Sequence, residues 1–483
     1  MVLFIFVSAK TNNIMNSNLG SSGMVAEIEA RIQLLMSALG EGFDVDETPT
    51  TAHSLEEYEQ SWHSQARELS DLMTARQVQK VLASDEFKEE VRQSVALQPG
   101  RLKNFGGRAV KVRFIGGTVI TLWVSYYARK CDEKKRKGLY PGLCLLGIHE
   151  RCSPALASQI SLTSAALGSL QEAQHMLANC GCKLNIKTLR TIVKRFSVRA
   201  RLAQAQESEF PQQYWNTQTL KGRRVVVSTD GGRLRVRTNK RGPKTKKGYR
   251  RYHTDWREPK LLIIYVVDEK GSQDKTFCPY LDGTLKGPDA VFGLLAYYLK
   301  KLEVSGADKL LFVADGALWI WERVKSLLQT LKLKPEQLFE LIDFYHAVEH
   351  LSEFAKLKAR WSKTQRQAWV RKHRHHLRQG HISLVIDAVK SASKGSRNPL
   401  LRRERDYFIK NQSRMRYQQV ARWQLPIGSG AMESSIRRVV NLRLKGAGIY
   451  WLEESANEML MLRCYYKAGR WDMMKKLAFQ VQV

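Results

Sequence analysis

Long apolar runs are missing from these 483 residues. The longest internal one is Leu261-Leu262-Ile263-Ile264-Tyr265-Val266-Val267, far short of the ~20 residues that a membrane-spanning helix needs. Residues 1–7 are apolar, but they lack a basic flank and give way to a polar stretch at residues 10–18. They read as a frayed leader rather than a signal peptide, with Met24 opening the first helix. Cysteine is scarce and unpaired. The seven cysteines show no repeated spacing, and the closest two, Cys180-Gly181-Cys182, form C-x-C with no second pair to complete a zinc site. That pattern excludes a disulfide scaffold and points to a reducing compartment. Acidic residues are in short supply as well, 46 Asp+Glu against 79 Lys+Arg, for a net charge of +33. Residues 1–100 hold 7 Lys+Arg and 15 Asp+Glu, a net of −8, so the rest of the chain carries +41. Positive charge on that scale calls for a polyanion, and nucleic acid is the usual one. No basic amphipathic helix with bulky aromatics argues for lipid instead.

What is present divides into five regions. Residues 1–100 are an acidic helical region, with Ile28, Ile32, Leu35 and Leu39 at helical spacing and a turn-rich break near residues 44–51. It is expected to pack on another subunit or to shield a basic surface. Residues 101–215 start with alternating Val110, Val112 and Phe114, turn at Gly116-Gly117 and return to Tyr127 as a hairpin. Two helices then flank Cys180-Gly181, the second bearing Lys187, Arg190 and Lys194. They fit a helix-turn-helix, though any helical hairpin with a basic second helix would look the same. Residues 216–346 give strands near 225–229, 261–267 and 276–281, a helix at 288–302, a strand at 310–314, a helix at 318–331 and a strand at 338–344. The order βββαβαβ predicts an α/β fold with a ribonuclease-H-like core. Residues 347–424 form a helical insertion, and residues 425–483 complete the core with C-terminal helices.

Two aspartates lie where an apolar strand meets glycine: Asp230 after Val225-Val226-Val227-Ser228-Thr229, and Asp315 after Leu310-Leu311-Phe312-Val313-Ala314. Carboxylates on adjacent strand ends suit hard divalent cations such as Mg²⁺. Two such ions about 4 Å apart would serve phosphodiester cleavage or transfer. Asp-Gly after a strand is also an ordinary turn, but two such pairs in one core favour metal ligation. Glu433, opening a helix after Gly428-Ser429-Gly430, is the best third carboxylate; Glu404, Glu453 and Glu454 are rivals, the last two on a helix that looks solvent-facing. Asp343 and His346 follow the last core strand at Asp-x-x-His spacing and suit a supporting or DNA-contacting role more than direct ligation. Ten cations fall within residues 233–251: Arg233, Arg235, Arg237, Lys240, Arg241, Lys244, Lys246, Lys247, Arg250 and Arg251, with no acidic residue among them. A cationic hairpin after Asp230 would grip the phosphate backbone, as would Arg437 and Arg438 one turn beyond Glu433.

These segments together carry a resemblance. Ser228-Thr229-Asp230-Gly231-Gly232, Arg257-Glu258-Pro259-Lys260, Ala314-Asp315-Gly316-Ala317-Leu318-Trp319-Ile320-Trp321, Asp343-Phe344-Tyr345-His346, the Pro426 to Glu433 segment and Ala468-Gly469-Arg470-Trp471-Asp472 resemble insertion-sequence transposases of the ISKra type, within the Mutator-like group of Asp-Asp-Glu recombinases. The likeness implies that Asp230, Asp315 and Glu433 are a metal-binding catalytic triad holding two Mg²⁺ ions, with Mn²⁺ as a substitute, and that Asp343 and His346 are the group's Asp/Cys-x-x-His motif. It implies a bacterial cytoplasmic enzyme, working at the nucleoid as a homodimer or larger assembly. Such an enzyme binds double-stranded DNA at the element's terminal inverted repeats, cleaves it and joins the 3′ ends to target DNA. Many members carry N-terminal cysteine pairs that this chain lacks, so zinc-supported end recognition is not implied. The rival expectations are a non-cleaving DNA-binding derivative and a structure-specific nuclease of the same fold.

Overall fold

The computed structural model describes residues 20–41, 49–98, 100–129, 138–207, 220–246, 248–331 and 333–480. The apolar leader and Lys247 lie outside the described residues. The chain forms two compact units, one of residues 1–163, 170–193 and 479–483, the other of residues 164–169 and 194–478. Among the described residues no helix is long and apolar enough to cross a membrane.

The first unit begins with α1 (Ser21–Glu41), α2 (Ala52–Ala83) and α3 (Asp85–Ala96). Thr51 and Ser54 cap α2 reciprocally, and Ser84 caps α3 through the Phe87 N–H, so side-chain oxygens satisfy amides that have no intrahelical partner. The hairpin follows as β1 (Leu102–Arg113) and β2 (Val119–Arg129), with a short β3 (Gly138–Leu139). Val110 opposes Leu122 and Val112 opposes Ile120, and this face is buried together with Ile28, Ile32, Leu72 and Ala75. The division expected at residue 100 is therefore crossed by one core. The acidic helices place their apolar stripe on the chain's own hairpin. Helix α2 also supplies polar anchors. Asp71, 1% exposed, accepts from the Gly116 N–H at 2.9 Å and the Thr118 N–H at 3.0 Å, and Gln79 exchanges bonds with the Trp123 backbone at 2.7 and 3.2 Å. Asp71→Ala leaves two amides at the turn unsatisfied and is expected to cost about 2 kcal/mol. Urea denaturation followed by far-UV circular dichroism checks this; an unchanged midpoint would mean that the turn holds itself.

Short α4 (Pro141–Leu145), α5 (Pro154–Ala166), α6 (Leu170–Asn179) and α7 (Ile186–Glu207) follow, α5 and α7 running on into the second unit. The two helices expected from the sequence are α6 and α7, with Gly181 turning the chain at φ +85°. Lys187 and Arg190 are exposed on α7.

The second unit is built on β4 (Arg224–Gly231), β5 (Leu234–Asn239), β6 (Tyr252–Arg257), β7 (Lys260–Val267) and β8 (Tyr280–Thr284). Then come α8 (Pro288–Lys301), β9 (Lys309–Ala314), α9 (Leu318–Thr330) and β10 (Leu338–Ile342). Five strands form one mixed sheet in the order β10-β9-β4-β7-β8. β4 runs antiparallel to β7 and parallel to β9, and β9 runs parallel to β10. Every residue of β7 is buried, as its continuous apolar run requires of a strand covered on both faces. Three expectations shift. The third core strand lies at Tyr280–Thr284 rather than residues 276–281, because Asp274 folds the preceding segment into a turn by accepting from the Thr276 N–H and hydroxyl. The fifth strand stops at Ile342, because Asp343 caps the next helix. Between β4 and β7, β5 and β6 form their own two-stranded sheet, so the observed order carries a hairpin that βββαβαβ omits.

The helical insertion consists of α10 (Phe344–Lys356), α11 (Lys363–Arg378), α12 (Ile382–Ser393), α13 (Pro399–Asn411) and α14 (Tyr417–Arg422). The chain closes with α15 (Gly430–Ile436), a π-helical turn (Arg437–Asn441), α16 (Glu453–Lys467) and α17 (Trp471–Phe479). Helix α16 is corrected from solvent-facing to largely buried, from Met459 through Tyr465. Only its first turn is exposed, where Glu453 pairs with Arg257 at 3.3 Å and Glu454 with Lys194 at 2.8 Å. Arg463, 2% exposed, donates to the carbonyls of Val439, Arg438 and Ala165. It thereby satisfies acceptors that the π-turn displaces from the regular ladder.

Candidate active site at the ends of three parallel strands

Strand register sets the site. β4 and β9 pair with an offset of 85 residues as far as Val227 opposite Phe312; Asp230 and Asp315 follow at the same offset, beyond the last paired residues, and Asp315 acts on Asp230 electrostatically. β9 and β10 pair with an offset of 28, Ile342 opposite Ala314, and this offset joins Asp315 to Asp343. The Asp343 N–H donates to the Ala314 carbonyl at 2.8 Å. Each of three neighbouring parallel strands thus has an aspartate at or just beyond its carboxyl end.

Their environments differ. Burial, together with the nearby Asp315 and Glu258 carboxylates, pushes the Asp230 carboxyl up to about 6, against the Gly231 N–H and His346, which favour its charged form. The Gly231 N–H donates to it at 2.6 Å. A Cβ on Gly231 would lie 2.0 Å from Glu258 Oε1, so a larger residue there would displace the Glu258 side chain. Asp315 accepts from the Ala317 N–H at 3.0 Å, and its own carbonyl accepts from the Trp321 indole at 2.6 Å.

Asp343, fully buried, is saturated. One oxygen caps α10 by accepting from the Tyr345 N–H at 2.6 Å and the His346 N–H at 3.0 Å. The other accepts from the Ser429 hydroxyl at 2.5 Å and from the Ser429 N–H. Burial would raise this carboxyl, yet the bonds from His346 and Ser429 hold it down at about 2. His346 Nδ1 is 3.7 Å from Asp343. The carboxylate lifts the imidazole to about 9, with burial opposing. Protonated, His346 would offer N–H donors and counter-charge to these carboxylates.

The bonds to Ser429 decide where Glu433 sits. They fasten the residue before α15 to the end of β10, and the Phe344 N–H to Ile427 carbonyl bond at 3.0 Å fastens the same loop. Glu433, exposed in the first turn of α15, then offers a carboxylate oxygen within 4.8 Å of ligand atoms on both Asp343 and His346. Among the described residues this is the one cluster of three such groups. Asp230 and Asp315 are not in it, although both act electrostatically on this neighbourhood.

Glu404 is engaged elsewhere. It is 2% exposed, 2.5 Å from His350 Nδ1 and 2.9 Å from Arg403. The sequence pattern assigns no role to two groups by the aspartates, Lys260 and Tyr407. Lys260, 5% exposed, pairs with Glu258 and rests 3.9 Å over the Trp319 ring; its signal was a charged residue opening an apolar strand. Tyr407 on α13 packs where a Cβ of Gly316 would sit, 2.3 Å from its Cε2, and stacks on His350 with ring centroids 3.6 Å apart. Its buried hydroxyl has no hydrogen-bond partner. Burial and the carboxylates of Asp315 and Asp343 raise its pKa, so the phenol stays a neutral donor. No local pattern in the sequence marks it.

Compared with family models, with curated proteins and with solved structures, the chain matches none of them.

The cationic segment after Asp230 forms the β5–β6 hairpin. Arg233, Arg237, Lys240, Arg241, Lys244, Lys246, Arg250 and Arg251 are exposed, and Arg235 is half-buried. Arg437 is exposed and Arg438 half-buried on the turn after Glu433. Lys194 differs from its neighbours on α7. Its ammonium lies 2.8 Å from Glu454 and 3.8 Å from Glu458, so it is neutralised within the chain instead of being displayed.

Proposed function

We propose that this chain is a DNA transposase with a ribonuclease-H-like core, cleaving and rejoining DNA through Asp230, Asp315 and Glu433. The observation that carries the reading is that Asp230 and Asp315 lie at the carboxyl ends of two strands paired in parallel, where burial and the Asp315 carboxylate push the Asp230 carboxyl up to about 6. Counted from β4, the core strands follow the sheet order 3-2-1-4-5, the arrangement expected of that core, and the insertion enters between its last strand and the helix bearing Glu433. Two half-buried carboxylates at neighbouring strand ends and an exposed third on α15 are hard-oxygen donors of the kind Mg²⁺ prefers. Mg²⁺ held by Asp230, Asp315 and Glu433 would supply Lewis-acid stabilisation of the phosphodiester and a nucleophile from water or a 3′-hydroxyl.

The chain's own groups do the rest. Asp343 holds the α15 loop so that Glu433 stays beside Asp343 and His346. His346 balances the charge of the carboxylates, and the neutral Tyr407 phenol has a proton to donate beside Asp315. The hairpin cations grip phosphates of the element's terminal repeats and of target DNA. The enzyme acts at the bacterial nucleoid as a dimer or larger assembly, since two ends must be processed together.

The test is Mg²⁺-dependent cleavage of duplex DNA carrying the element's flanking repeats, by wild type and by Asp315→Ala. Cutting at the repeat boundary, lost in Asp315→Ala with binding retained, is the expected result. Binding without cutting by either protein, in Mg²⁺ or Mn²⁺, would leave a non-cleaving DNA-binding derivative. Cutting that follows junction shape instead of repeat sequence would leave a structure-specific nuclease.

A further inference from the structure

The hairpin after Asp230 is built as more than a cationic arm. In its antiparallel register Arg235 opposes Trp256, Arg237 opposes Thr254 and Asn239 opposes Tyr252. Residues directly opposite share a face, so arginines and aromatics alternate on one side of the ribbon. Leu234 and Val236 point to the other side and are buried. The free edge of β5 pairs with the Trp451 backbone, through the Arg237 N–H to the Trp451 carbonyl at 2.7 Å and the Trp451 N–H to the Arg235 carbonyl at 3.0 Å. Val236 bridges Trp451, which sets Tyr450 on the arginine face.

On that face the Arg235 guanidinium lies 4.8 Å from the centroid of Trp256 and 5.9 Å from that of Tyr450, Arg233 5.8 Å from Trp256, and Arg237 5.6 Å from Tyr252. Tyr252 and Tyr450 are 5.7 Å apart. These rings stay open to solvent, Trp256 at 44% and Tyr252 at 40% exposure, and Tyr249 at the tip reaches 71%. A shallow basin at the tip is lined by Lys240, Lys246, Arg250 and Arg251 with Tyr249 and Tyr252.

Cations alone suffice to hold a phosphate backbone, so the aromatic rings need their own explanation. A duplex hides the faces of its bases and would leave the indole of Trp256 in water. An unpaired strand exposes those faces, and base–aromatic stacking on a cationic sheet is the usual means of holding it. Guanidinium groups beside the same rings strengthen the stack.

We propose that the arginine–aromatic face of this hairpin is a stacking platform for the unpaired bases of a DNA single strand, with its phosphates led along the basin at the tip. The inference deepens the reading of the hairpin as the nucleic-acid-facing arm and rests on it. It adds that the arm holds strand-separated DNA next to the aspartates.

Fluorescence anisotropy with the full chain in EDTA tests this, using labelled oligo-dT of about 20 nucleotides and a duplex of equal length. The double variant Trp256→Ala/Tyr252→Ala is expected to weaken oligo-dT binding on the order of 30-fold while duplex affinity stays within about twofold. Trp256→Phe should keep most of the affinity, which separates stacking from misfolding. Equal losses for both DNAs, or no loss for oligo-dT, would overturn the platform. So would oligo-rU binding an order of magnitude tighter than oligo-dT, which would reassign the face to RNA. Because the assay contains no metal, it is independent of cleavage. A chain that cuts repeat ends yet ignores single strands overturns the platform alone. One that holds oligo-dT through Trp256 and never cuts overturns the transposase reading alone.

Discussion

Replacing Asp230 by Asn is expected to abolish Mg²⁺-dependent strand cleavage, by roughly a thousand-fold or more, while making the fold more stable. The activity loss corresponds to about 4 kcal/mol of transition-state stabilisation. The gain in stability follows from the position of the carboxyl, which burial pushes up from 3.8 to about 6. Between those two pH values the folded chain holds a proton that the unfolded chain has released, so wild-type stability falls as pH rises from about 4 to 6. That difference is worth about 3 kcal/mol. The amide pays no such penalty. The gap between variant and wild type should be absent below about pH 4, open between 4 and 6, and stay constant above. Thermal melts in EDTA across that range check it. Added Mg²⁺ should then raise the wild-type melting temperature and leave Asp230→Asn unmoved. A variant less stable than wild type at pH 8 would mean that Asp230 is already satisfied in the fold.

The second large effect is expected at Asp343, with the opposite sign. Asp343→Ala removes a helix cap and the charged acceptor of the Ser429 N–H and hydroxyl. The expected cost is about 3 kcal/mol. Because the folded carboxyl lies near 2, below its ordinary value, its contribution is complete above about pH 4 and is lost as pH falls toward 2. Cleavage should drop about a hundred-fold through loss of the Glu433 position. Hydrogen exchange distinguishes this from general unfolding: amides of residues 427–436 should exchange faster while those of β4 and β9 keep their protection. In Asp343→Asn the His346 imidazole should fall from about 9 toward its ordinary value, readable by NMR titration. Unchanged exchange at residues 427–436 would mean that α15 is held by its packing alone.

Both predictions concern residues that were visible as candidates in the sequence, and the reasons differ. Asp230 and Asp315 stood out because an apolar strand followed by Asp-Gly is a local pattern. The alternation of Arg233, Arg235 and Arg237 with Leu234, Val236 and Thr238 likewise announced a one-faced cationic strand, and β5 has it. The end of the last core strand was misplaced by two residues because a capping aspartate beside an apolar run reads equally well as strand or as helix start. The approach of Tyr450 to Arg235 depends on a partner segment about 200 residues away in the chain, beyond the reach of any local pattern.

Charge was the least legible property of all. Lys194 reads as a displayed cation and is neutralised by Glu454 and Glu458; Glu404 reads as a spare carboxylate and is taken up by His350 and Arg403. The sequence by itself determined the strands, the helices, the excess of positive charge and the strand-end carboxylates, because hydrophobic period and turn chemistry act over a few residues. Packing was needed to bring the strands that end in Asp230, Asp315 and Asp343 side by side, to make Asp343 the clasp for the Glu433 loop, and to settle which charges are paired. Those outcomes depend on strand order and on partners distant in the chain, whose contacts are made only when the sheet and its helices pack together.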